Sequence, residues 1–346
     1  MKSINEIVEN LRNNQINFSI DSPLKNYTSF KIGGPAKILA IVNNHNQLET
    51  AIRTAFKTNF DYIVLGNGSN VLISDSGYNG IIILNRSRQW QIIDEHFVPV
   101  RHQELISRYI PEKKFKDNKI LGYSDKEEPA VLIQVDSGIG LHNLIHELFK
   151  SNITGLQWFA GIPGSIGGAV YMNVHGGHQY FSDLLVKAKL FDGQSFKIVN
   201  RDYFQFDYDR SILQKTKEII FSVDLFLRKG NVLKAKQLAD YWRQQKSIQP
   251  QRSAGCVFRN LSKDESKQFK LSSTSAGFII DKILKLKGKR IGDAIISPNH
   301  AAFIENCGNA TAKDVYTLVK LIQENSIKKI GLELKPEIEF IGDFGY

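Results

Sequence analysis

Two glycine-rich segments of the chain have the composition of anion-binding loops. The first, Gly66–Asn70, follows an apolar stretch directly and has the sequence GNGSN. The second, Gly161–Gly168, has the sequence GIPGSIGG and continues into Ala169. Glycine adopts positive φ and lets a ligand approach the backbone, and successive N–H groups in such a turn bind anions. These segments predict a phosphate-bearing ligand, although a tight turn between strands remains an alternative for the first.

The surroundings of the two segments narrow the kind of ligand. Neither is followed by Gly-Lys-Ser/Thr, and neither is a GxGxxG with an acidic residue further on, so the P-loop and Rossmann motifs are excluded. The second continues into AVYMN, which predicts a helix whose N-terminus favours a pyrophosphate. Because the loops are far apart in the chain, we expect a long ligand such as a dinucleotide, held at two places.

The cysteine and histidine residues are weaker indications of function than the glycine-rich segments. Cys256 and Cys307 are the two cysteines of the chain, which cannot build a disulfide framework, and no CxxC pair suggests zinc. This usage fits a reducing, cytoplasmic location. His175 and His178 have a spacing that metal ligands use, but no third ligand is evident. We therefore interpret them as loop or surface histidines and predict no metal site.

Short apolar runs alternate with helical periodicity, which predicts an α+β or α/β fold with short connections. Hairpin turns are expected at Asp192-Gly193 and Lys229-Gly230. Residues 87–130 carry charge clusters and weak periodicity, so we interpret them as an insertion or an elaborated edge. Besides an amphipathic N-terminal helix, the predicted helices are 46–58, 142–152, 234–246, 276–286 and 312–325, and the predicted strands include 37–42, 62–65, 71–73, 81–84, a strand that begins at 131, and 337–341.

The composition is that of a globular protein. Of 346 residues, 42% are hydrophobic and 23% charged, which excludes the disordered and collagen-like classes. No apolar run is long enough for a membrane span, and the N-terminus lacks the features of a signal peptide. The net charge of +10 favours an anionic partner. Since the basic residues are scattered, with the densest cluster at 113–119, we expect a phosphorylated small molecule rather than nucleic acid.

Seven segments in a fixed order resemble the UDP-N-acetylenolpyruvoylglucosamine reductases, the MurB family, over about residues 22–341. They are NYTSFKIGGPA (26–36), LGNGSNVLISD (65–75), GLQWFAGIPGSIGGAVYMN (155–173), FDYDRSIL (206–213), SAGCVFRN (253–260), SAGFIIDKILKLKGKRIGDAIISPNHAAFIEN (275–306) and LKPEIEFIG (334–342). Seven ordered matches are far more specific than either glycine loop alone.

The resemblance implies an α+β fold with a two-part FAD-binding module of the vanillyl-alcohol-oxidase/PCMH type and a C-terminal MurB-type α+β substrate domain. On this basis we expect four divisions of the chain. They are an N-terminal helix at 1–21, a first FAD-binding subdomain at 22–87, a second at 88–230 with an insertion at about 87–130, and a substrate-binding domain at 231–346.

The resemblance also implies a reaction. NADPH passes hydride to FAD, and the reduced flavin reduces UDP-N-acetylglucosamine enolpyruvate to UDP-N-acetylmuramate in peptidoglycan precursor synthesis. Two alternatives stay open at this point. One is another FAD-dependent oxidoreductase of the same superfamily, which the substrate-domain motifs disfavour. The other is a non-catalytic flavin-binding homologue. No nucleic acid, membrane span or obligate protein partner is expected.

Residues that match the family's FAD-binding segments are the expected cofactor contacts. They are Ile32, Gly33, Gly66, Asn67, Gly68, Ser69, Asn70, Val71, Gly161, Ile162, Pro163, Gly164, Ser165, Gly167, Gly168, Ala169 and Asn173.

The reaction needs an acid to protonate the carbon beside the substrate carboxylate, and donors to hold the enolate. Cys256 matches the position where the family usually has serine, and a thiol can donate a proton. Glu337 matches the family glutamate, with Glu333 and Glu339 as alternatives. Cys307 lies outside the motifs and is interpreted as a filler residue.

The expected cation is displaced in this chain. The family pattern is Tyr-Arg-x-Ser, whereas the sequence here reads Tyr208, Asp209, Arg210, Ser211. A shift of one residue turns a side chain to the opposite face of a strand. Arg210 can serve if the backbone turns locally; otherwise Lys246 or Arg252 is the candidate.

Three residues match substrate-contacting positions of the family: Tyr208, Lys246 and Asn260. A further departure follows Asn173, where the chain has Val-His-Gly-Gly-His and the family often has x-Gly-Ala-Tyr-Gly. This departure places His175 at a position where the family pattern has glycine.

Overall fold

The computed structural model describes residues 2–98, 122–177 and 179–345. Much of the region predicted as an insertion, about 87–130, therefore lies outside the described residues. So do the basic cluster at 113–119 and His178. Within the described part, Trp90–Asp94 forms a strand at the edge of a sheet, so this portion of the predicted elaborated edge is regular structure.

Short strands and helices alternate along the described chain. The helices are α1 (Lys2–Asn13), α2 (His45–Lys57), α3 (Leu141–Lys150), α4 (Ile166–Tyr171), α5 (Leu213–Thr216), α6 (Val232–Ser247), α7 (Lys263–Gln268), α8 (Ala276–Phe278) and α9 (Ala312–Ile330). The strands are β1 (Asn17–Pro23), β2 (Pro35–Val42), β3 (Tyr62–Leu65), β4 (Val71–Ile73), β5 (Tyr78–Asn85), β6 (Trp90–Asp94), β7 (Ala130–Asp136), β8 (His175–Gly176), β9 (Gln179–Tyr180), β10 (Leu185–Phe191), β11 (Phe196–Asn200), β12 (Ile219–Arg228), β13 (Arg290–Ile291), β14 (Ala294–Ile296), β15 (Ile304–Asn306) and β16 (Glu339–Ile341).

The strands assemble into sheets that are mostly antiparallel. One sheet has the order β1-β2-β5-β3, and a five-stranded antiparallel sheet has the order β11-β10-β12-β7-β6. Strands β13, β14 and β15 form a three-stranded antiparallel sheet, β8 pairs with β9, and β16 pairs with β4 in parallel. The α+β class expected from the sequence is confirmed.

The structure confirms one of the two predicted hairpin turns and contradicts the other. The Asp192-Gly193 hairpin is confirmed, because it joins β10 to β11 with Phe191 opposite Phe196. The hairpin at Lys229-Gly230 is wrong: β12 ends at Arg228, and the chain enters α6 at Val232 instead of returning as a strand. Asn231 accepts a hydrogen bond from Lys234 N as the N-cap, so the turn residues here precede a helix.

The helix expected over 276–286 changes character along its length. Its first turn, α8, is capped by Ser275, and a π-helix follows over Ile279–Ile283. A π-helical turn rotates the side chains relative to an α-helix of the same length. The apolar pattern predicts a buried face here, but it does not distinguish the two kinds of helix.

Contacts divide the chain into two compact units. Unit 1 comprises residues 1–18, 40–67 and 83–248, and unit 2 comprises residues 19–39, 68–82 and 249–346. The four-part division expected from the sequence remains a prediction.

The core of unit 1 lies between the five-stranded sheet and the helices that follow β7. Strand β7 has the sequence AVLIQVD and is buried almost throughout, as expected for an apolar run in the interior of a sheet. Helix α3 buries Leu141, Leu144, Ile145 and Leu148, the spacing of one helical face. This packing fixes both ends of the turn at Ser137–Gly140, which joins β7 to α3.

The core of unit 2 combines early and late parts of the sequence. Phe30, Ile32 and Leu72 pack with apolar residues between Ala254 and Ile338. Its longest helix, α9, begins at a capping box formed by Thr311 and Asp314 and ends at Gly331, whose φ of 69° is the left-handed conformation of a helix C-terminus.

Candidate functional site

The start of the first glycine loop lies against the second glycine loop in unit 1. A Cβ placed on Gly66 would lie 2.1 Å from Ser165 Oγ, so a larger residue at position 66 would have to displace the Ser165 side chain. Arg86 fixes the same loop from the other direction, because its Nη1 donates to Gly66 O at 2.8 Å. Unit 1 thus brings the start of the first loop, Gly66 and Asn67, to the second loop.

The second loop has a well-defined backbone. Ser165 is the N-cap of α4, and its Oγ accepts a hydrogen bond from Gly168 N at 3.3 Å. Gly161 has a φ of 83°, and Gly164 has a φ of 146°. These two conformations are ones that a residue with a Cβ rarely adopts. The sequence GIPGSIGG is therefore explained by backbone geometry as well as by close packing.

A third glycine turn, Ser137–Gly140, belongs to the same group, although none of its residues is among the expected cofactor contacts. Gly167 N donates to Ser137 O at 2.7 Å, and Ile166 N donates to Ile139 O at 2.9 Å. Gly140 forms a bridge with Ser165. The available signal was the pair of glycines, Gly138 and Gly140, directly after an apolar strand, the same arrangement that identified Gly66.

The three turns leave space and donors suited to a phosphate group. The atoms nearest to a Cβ on Gly140 would be Asn67 Nδ2 at 3.7 Å, Asn143 Nδ2 at 3.8 Å and Gly164 O at 3.8 Å, which is ordinary van der Waals distance. Gly168 likewise has only Ser165 Oγ near it, at 3.5 Å. Glycine backbone, amide and hydroxyl donors suit the pyrophosphate of a dinucleotide.

The expected cofactor residues of unit 2 form a second group. Thr28 Oγ1 donates to Ile32 O at 2.8 Å and holds the loop that ends at Gly33. Ser29 N donates to Gly68 O at 3.0 Å. Gly68, with a φ of 60°, has no room for a Cβ, which would lie 2.1 Å from Tyr27 O. The segments around Ile32 and Gly68 are therefore packed backbone to backbone.

This group continues into the segment that carries the predicted catalytic glutamate. Asn70 Nδ2 donates to Glu337 O at 3.2 Å, and Glu339 N donates to Asn70 O at 2.9 Å. Val71 pairs with Glu339 in the parallel pairing of β4 and β16. Asn70 is thereby joined to the backbone on both sides of Ile338.

The predicted acid, Cys256, lies in the neighbouring segment of unit 2. Glu337 N donates to Val257 O at 2.8 Å, and Phe258 forms a bridge with Pro336. On its other side, Cys256 forms a bridge with Phe303. Cys256 is half-buried. Unit 2 therefore brings Cys256, Glu337 and Asn70 into three adjacent backbone segments, although nearly 190 residues separate Asn70 from Cys256.

The backbone conformation at position 255 explains why glycine precedes Cys256 in the SAGC sequence. Its φ is 80°, and a Cβ at this position would meet no atom within 4 Å. Glycine is needed here for its backbone conformation and not for lack of space. The turn at Gly255 sets the direction in which the chain enters Cys256.

The two alternative glutamates occupy different settings. Glu333 is exposed, and its Oε1 accepts a hydrogen bond from Gln323 Nε2 at 3.4 Å. Glu339 is the first residue of β16 and is half-buried, as is Glu337. Of the three, Glu337 is directly hydrogen-bonded through its backbone to the Cys256 segment, which favours it as the functional carboxylate.

The Tyr208–Arg210 segment forms a tight turn in unit 1. Asp207 and Arg210 exchange backbone hydrogen bonds of 3.1 and 3.2 Å, and Asp209 has a φ of 49°. Asp209 is buried, with 6% of its surface exposed, whereas Arg210 is exposed. The backbone does turn locally, but it is the aspartate that points inward. Arg210 as the enolate-binding cation stays a prediction that this orientation does not favour.

The other candidate cations have different surroundings. Lys246 lies near the end of α6, and its stem is 2.9 Å from where a Cβ of Gly161 would be. This contact places Lys246 beside the second glycine loop. Arg252, in unit 2, is exposed and donates through Nη2 to Gly308 O at 2.7 Å.

Two remaining predicted contacts have clear structural partners. Asn173 is buried; its Nδ2 donates to Asp207 O at 3.0 Å, and its Oδ1 accepts from Ser182 N at 3.0 Å. It therefore supports the turn that carries Tyr208. In unit 2, Asn260 Oδ1 accepts from Ala276 N at 3.0 Å, at the start of α8. Both predicted ligand contacts, to FAD and to the UDP-sugar, stay predictions.

Within residues 2–98, 122–177 and 179–345, no group of three or more histidine, cysteine, aspartate or glutamate side chains is arranged to hold a metal ion. Among the helices of these ranges, none combines the length and the apolar character that crossing a membrane requires.

Comparisons with known proteins agree with this arrangement. The family profile described as "UDP-N-acetylenolpyruvoylglucosamine reductase, C-terminal domain" matches residues 247–341. The UDP-N-acetylenolpyruvoylglucosamine reductase of Caldicellulosiruptor bescii is 32% identical over 340 residues, which are 96% of this chain and 94% of that protein. The corresponding protein of Clostridium kluyveri is 30% identical over 331 residues, 94% of this chain and 93% of its own length.

A solved structure extends the similarity to the fold. The crystal structure of UDP-N-acetylenolpyruvylglucosamine reductase (MurB) from Thermus caldophilus has a TM-score of 0.67 and 29% sequence identity. The match covers 94% of this chain and 99% of that one.

Proposed function

The chain belongs to the UDP-N-acetylenolpyruvoylglucosamine reductase family, and on this basis we propose that it reduces its UDP-sugar with hydride that NADPH supplies through a bound FAD. The reductase activity in peptidoglycan precursor synthesis and the flavoprotein character follow from homology over nearly the whole chain. The identity of the flavin as FAD, the use of NADPH and the roles of individual residues are the proposal.

The observation that supports the proposed chemistry best is the backbone arrangement around Cys256. The segment that follows Cys256 is hydrogen-bonded to Glu337, and Glu337 is in turn hydrogen-bonded to Asn70. A proton donor, a carboxylate and a predicted flavin contact thus lie on adjacent segments of one unit. This grouping suits a reaction in which a proton must be delivered close to the flavin.

The glycine turns of unit 1 support FAD as the flavin. Gly66 and Ser165 are in contact, and Gly140 is bordered by two asparagine amides at van der Waals distance. In the proposal these turns hold the pyrophosphate, and Gly33 and Gly68 are further predicted cofactor contacts. A flavin without a pyrophosphate would leave these donors without a ligand.

When bound, FAD would supply the enolpyruvyl double bond with hydride taken from NADPH. Negative charge then develops on the carbon beside the carboxylate, and Cys256 donates its thiol proton to that carbon. The resulting thiolate recovers a proton from solvent before the next turnover. Glu337 orders the substrate beside this thiol, and Tyr208, Lys246 and Asn260 bind the UDP-sugar.

The test is a coupled assay with purified protein. We expect a yellow protein with the absorption spectrum of an oxidised flavin, and heat-released flavin that co-elutes with FAD rather than FMN on chromatography. NADPH oxidation should depend on added UDP-N-acetylglucosamine enolpyruvate, and mass spectrometry should identify UDP-N-acetylmuramate. A matched reaction with NADH tests the choice of hydride donor.

Each part of the proposal can fail separately. FMN in place of FAD would contradict the cofactor assignment but not the reaction. Equal or faster turnover with NADH would contradict the hydride donor alone. Flavin-loaded protein that oxidises NADPH without forming UDP-N-acetylmuramate would overturn the proposed reduction of the UDP-sugar.

A further inference from the structure

Two departures from the family pattern contact each other in unit 1. Asp209 stands where the pattern has arginine, and His175 stands where it has glycine. In the folded chain, His175 Nδ1 lies 3.2 Å from Asp209 Oδ1. The residues are 34 positions apart in the sequence, so their pairing is a property of the fold.

Asp209 needs a positive partner in this position. It is buried with 6% exposure, and its Oδ2 is buried and accepts no hydrogen bond from the described residues. A buried carboxylate is costly unless a positive charge lies beside it. The neighbouring Arg210 is exposed, and the basic side chain in contact with Asp209 is the imidazole of His175.

The imidazole is held by aromatic contacts as well. Its ring centre lies 5.4 Å from that of Tyr208 with an angle of 30° between the planes, and 5.8 Å from that of Tyr180 with an angle of 54°. About a quarter of the His175 side chain, 26%, remains exposed. The ring is therefore fixed in orientation by three neighbours and can still be reached by a ligand that contacts Tyr208.

We propose that His175 supplies the positive charge that the family pattern takes from arginine, and that Asp209 positions it. This inference rests on the proposed function, in which Tyr208 binds the UDP-sugar. The His175 imidazolium lies beside Tyr208 and stabilises the negative charge that develops on the substrate after hydride addition. It forms no covalent bond and keeps its proton throughout. Asp209 is a positioning residue, which acts on the substrate only through His175.

The first test is His175→Gln, which removes the charge but keeps a polar side chain of similar reach. We expect kcat for reduction of the UDP-sugar to fall about 100-fold or more, the loss typical when one preorganised donor is removed, with a smaller change in KM. Flavin content and the rate of flavin reduction by NADPH without the UDP-sugar should stay at the wild-type level. His142→Gln, at an exposed histidine of α3, is the matched control and should leave both rates unchanged.

The second test exchanges the pair for the residues of the family pattern. Asp209→Arg alone places two cations together and should lose as much activity as His175→Gln. The double variant His175→Gly with Asp209→Arg removes the repulsion and restores the arginine, so its kcat should exceed that of His175→Gly by about tenfold or more. A structural role for the pair predicts no such recovery, because the double variant loses the ion pair completely.

The outcomes separate this inference from the proposed function. Wild-type protein that does not reduce the UDP-sugar contradicts the proposed function, whatever the variants do. Active wild-type protein with unchanged kcat in His175→Gln overturns the role of His175. An equal loss of both half-reactions in His175→Gln also overturns it, because the defect would then lie in flavin binding or folding. A double variant no better than His175→Gly refutes the exchange of roles between histidine and arginine.

Discussion

At position 256 a thiol occupies a half-buried site between two segments of unit 2, directly after a glycine in the left-handed conformation. Cys256→Ala removes the proposed proton donor and should lower UDP-sugar reduction about 10²–10⁴-fold, the usual range for a general acid. Flavin reduction by NADPH should be unaffected, because hydride transfer to the flavin needs no proton at this position. Stopped-flow measurement of the two half-reactions checks this.

Serine and the second cysteine provide controls for that prediction. Cys256→Ser keeps a hydroxyl in the same place and should retain substantial activity, whereas the exposed Cys307→Ala should behave as wild type. Full UDP-sugar reduction in Cys256→Ala would remove the thiol from the mechanism.

The orientation and pairing of single side chains could not be predicted from the sequence. The motifs predict roles for Tyr208 and Arg210, but which side chain of this segment is buried depends on a tight turn with Asp209 at φ 49°. Such a turn reverses the alternation expected for a strand. The pairing of Asp209 with His175 was likewise beyond the sequence, because it joins separate motifs.

At the scale of elements, the start of α9 is held by a distant aspartate. Asp75 accepts hydrogen bonds from Ala312 N at 2.8 Å and Lys313 N at 2.9 Å, two donors that the first helical turn cannot satisfy itself. Asp75→Ala should lower the free energy of unfolding by about 1–2 kcal/mol, as for loss of an N-cap. Thermal or urea denaturation measures this.

The exposed Asp61→Ala is the matched control for Asp75→Ala and should leave the free energy of unfolding within about 0.5 kcal/mol of wild type. Equal stability of the two variants would show that solvent satisfies the α9 donors equally well.

A second element-scale prediction concerns the edge of the five-stranded sheet in unit 1. Glu218 is buried; its Oε1 lies 2.6 Å from Lys197 Nζ, and its Oε2 accepts a hydrogen bond from Tyr203 OH at 2.6 Å. Burial alone would raise the pKa of Glu218, but the hydrogen bonds from Lys197 and Tyr203 outweigh burial and lower it. The same contacts raise the pKa of Lys197 against the effect of its own burial.

The sign of the pH dependence follows from the lowered pKa of Glu218. Its contribution to stability is present above the unfolded-state pKa of 4.5 and is lost as the pH falls through the lower folded-state value. Glu218→Gln should therefore be less stable than wild type by about 1–3 kcal/mol near neutral pH. The difference should shrink as the pH drops below 4.5. Denaturant titrations from acid to neutral pH measure it, and Glu127→Gln, at an exposed glutamate, should show no such trend.

Periodicity predicted most elements because their burial is regular. Strands β3 and β4 occupy the predicted residues, and α9 extends the predicted helix by a few residues to Ile330. The π-helix at Ile279–Ile283 and the entry into α6 after Arg228 were not predictable in this way. The π-helix depends on the packing of a buried apolar run. The entry into α6 depends on the Asn231 cap, and the sequence Lys229-Gly230 by itself is equally typical of a hairpin turn.

At the scale of the whole molecule, the flavin should stabilise the folded chain. A ligand at 100 times its Kd adds about 2.7 kcal/mol to the free energy of unfolding. We therefore expect FAD to raise the Tm of flavin-stripped protein. Gly66→Ala should abolish this increase, because its Cβ would fall 2.1 Å from Ser165 Oγ. The Tm of stripped Gly66→Ala protein separates loss of binding from loss of folding. A full FAD-dependent increase in this variant would contradict the role of the Gly66 turn.

The order of the seven motifs along the chain identified the family. It did not predict how residues group into the two compact units. Seven ordered motifs identified the reductase, and homologues confirm it over nearly the whole length. The first glycine loop is nevertheless divided, with Gly66 in unit 1 and Gly68 in unit 2. The continuous sequence of this loop predicts a ligand. Only the tertiary contacts show that its two halves belong to different compact units.

The discontinuous composition of unit 2 has a consequence for its biosynthesis. Asp75 and Ala312, which are bonded in the folded protein, are 237 residues apart. At about 5–20 residues per second, a ribosome needs roughly 10–50 s to make that stretch. During this interval Phe30, Ile32 and Leu72 lack the C-terminal partners that bury them. We therefore expect the N-terminal third of the nascent chain to bind holdase chaperones, and unit 2 to complete its folding only after residues 249–346 have been made.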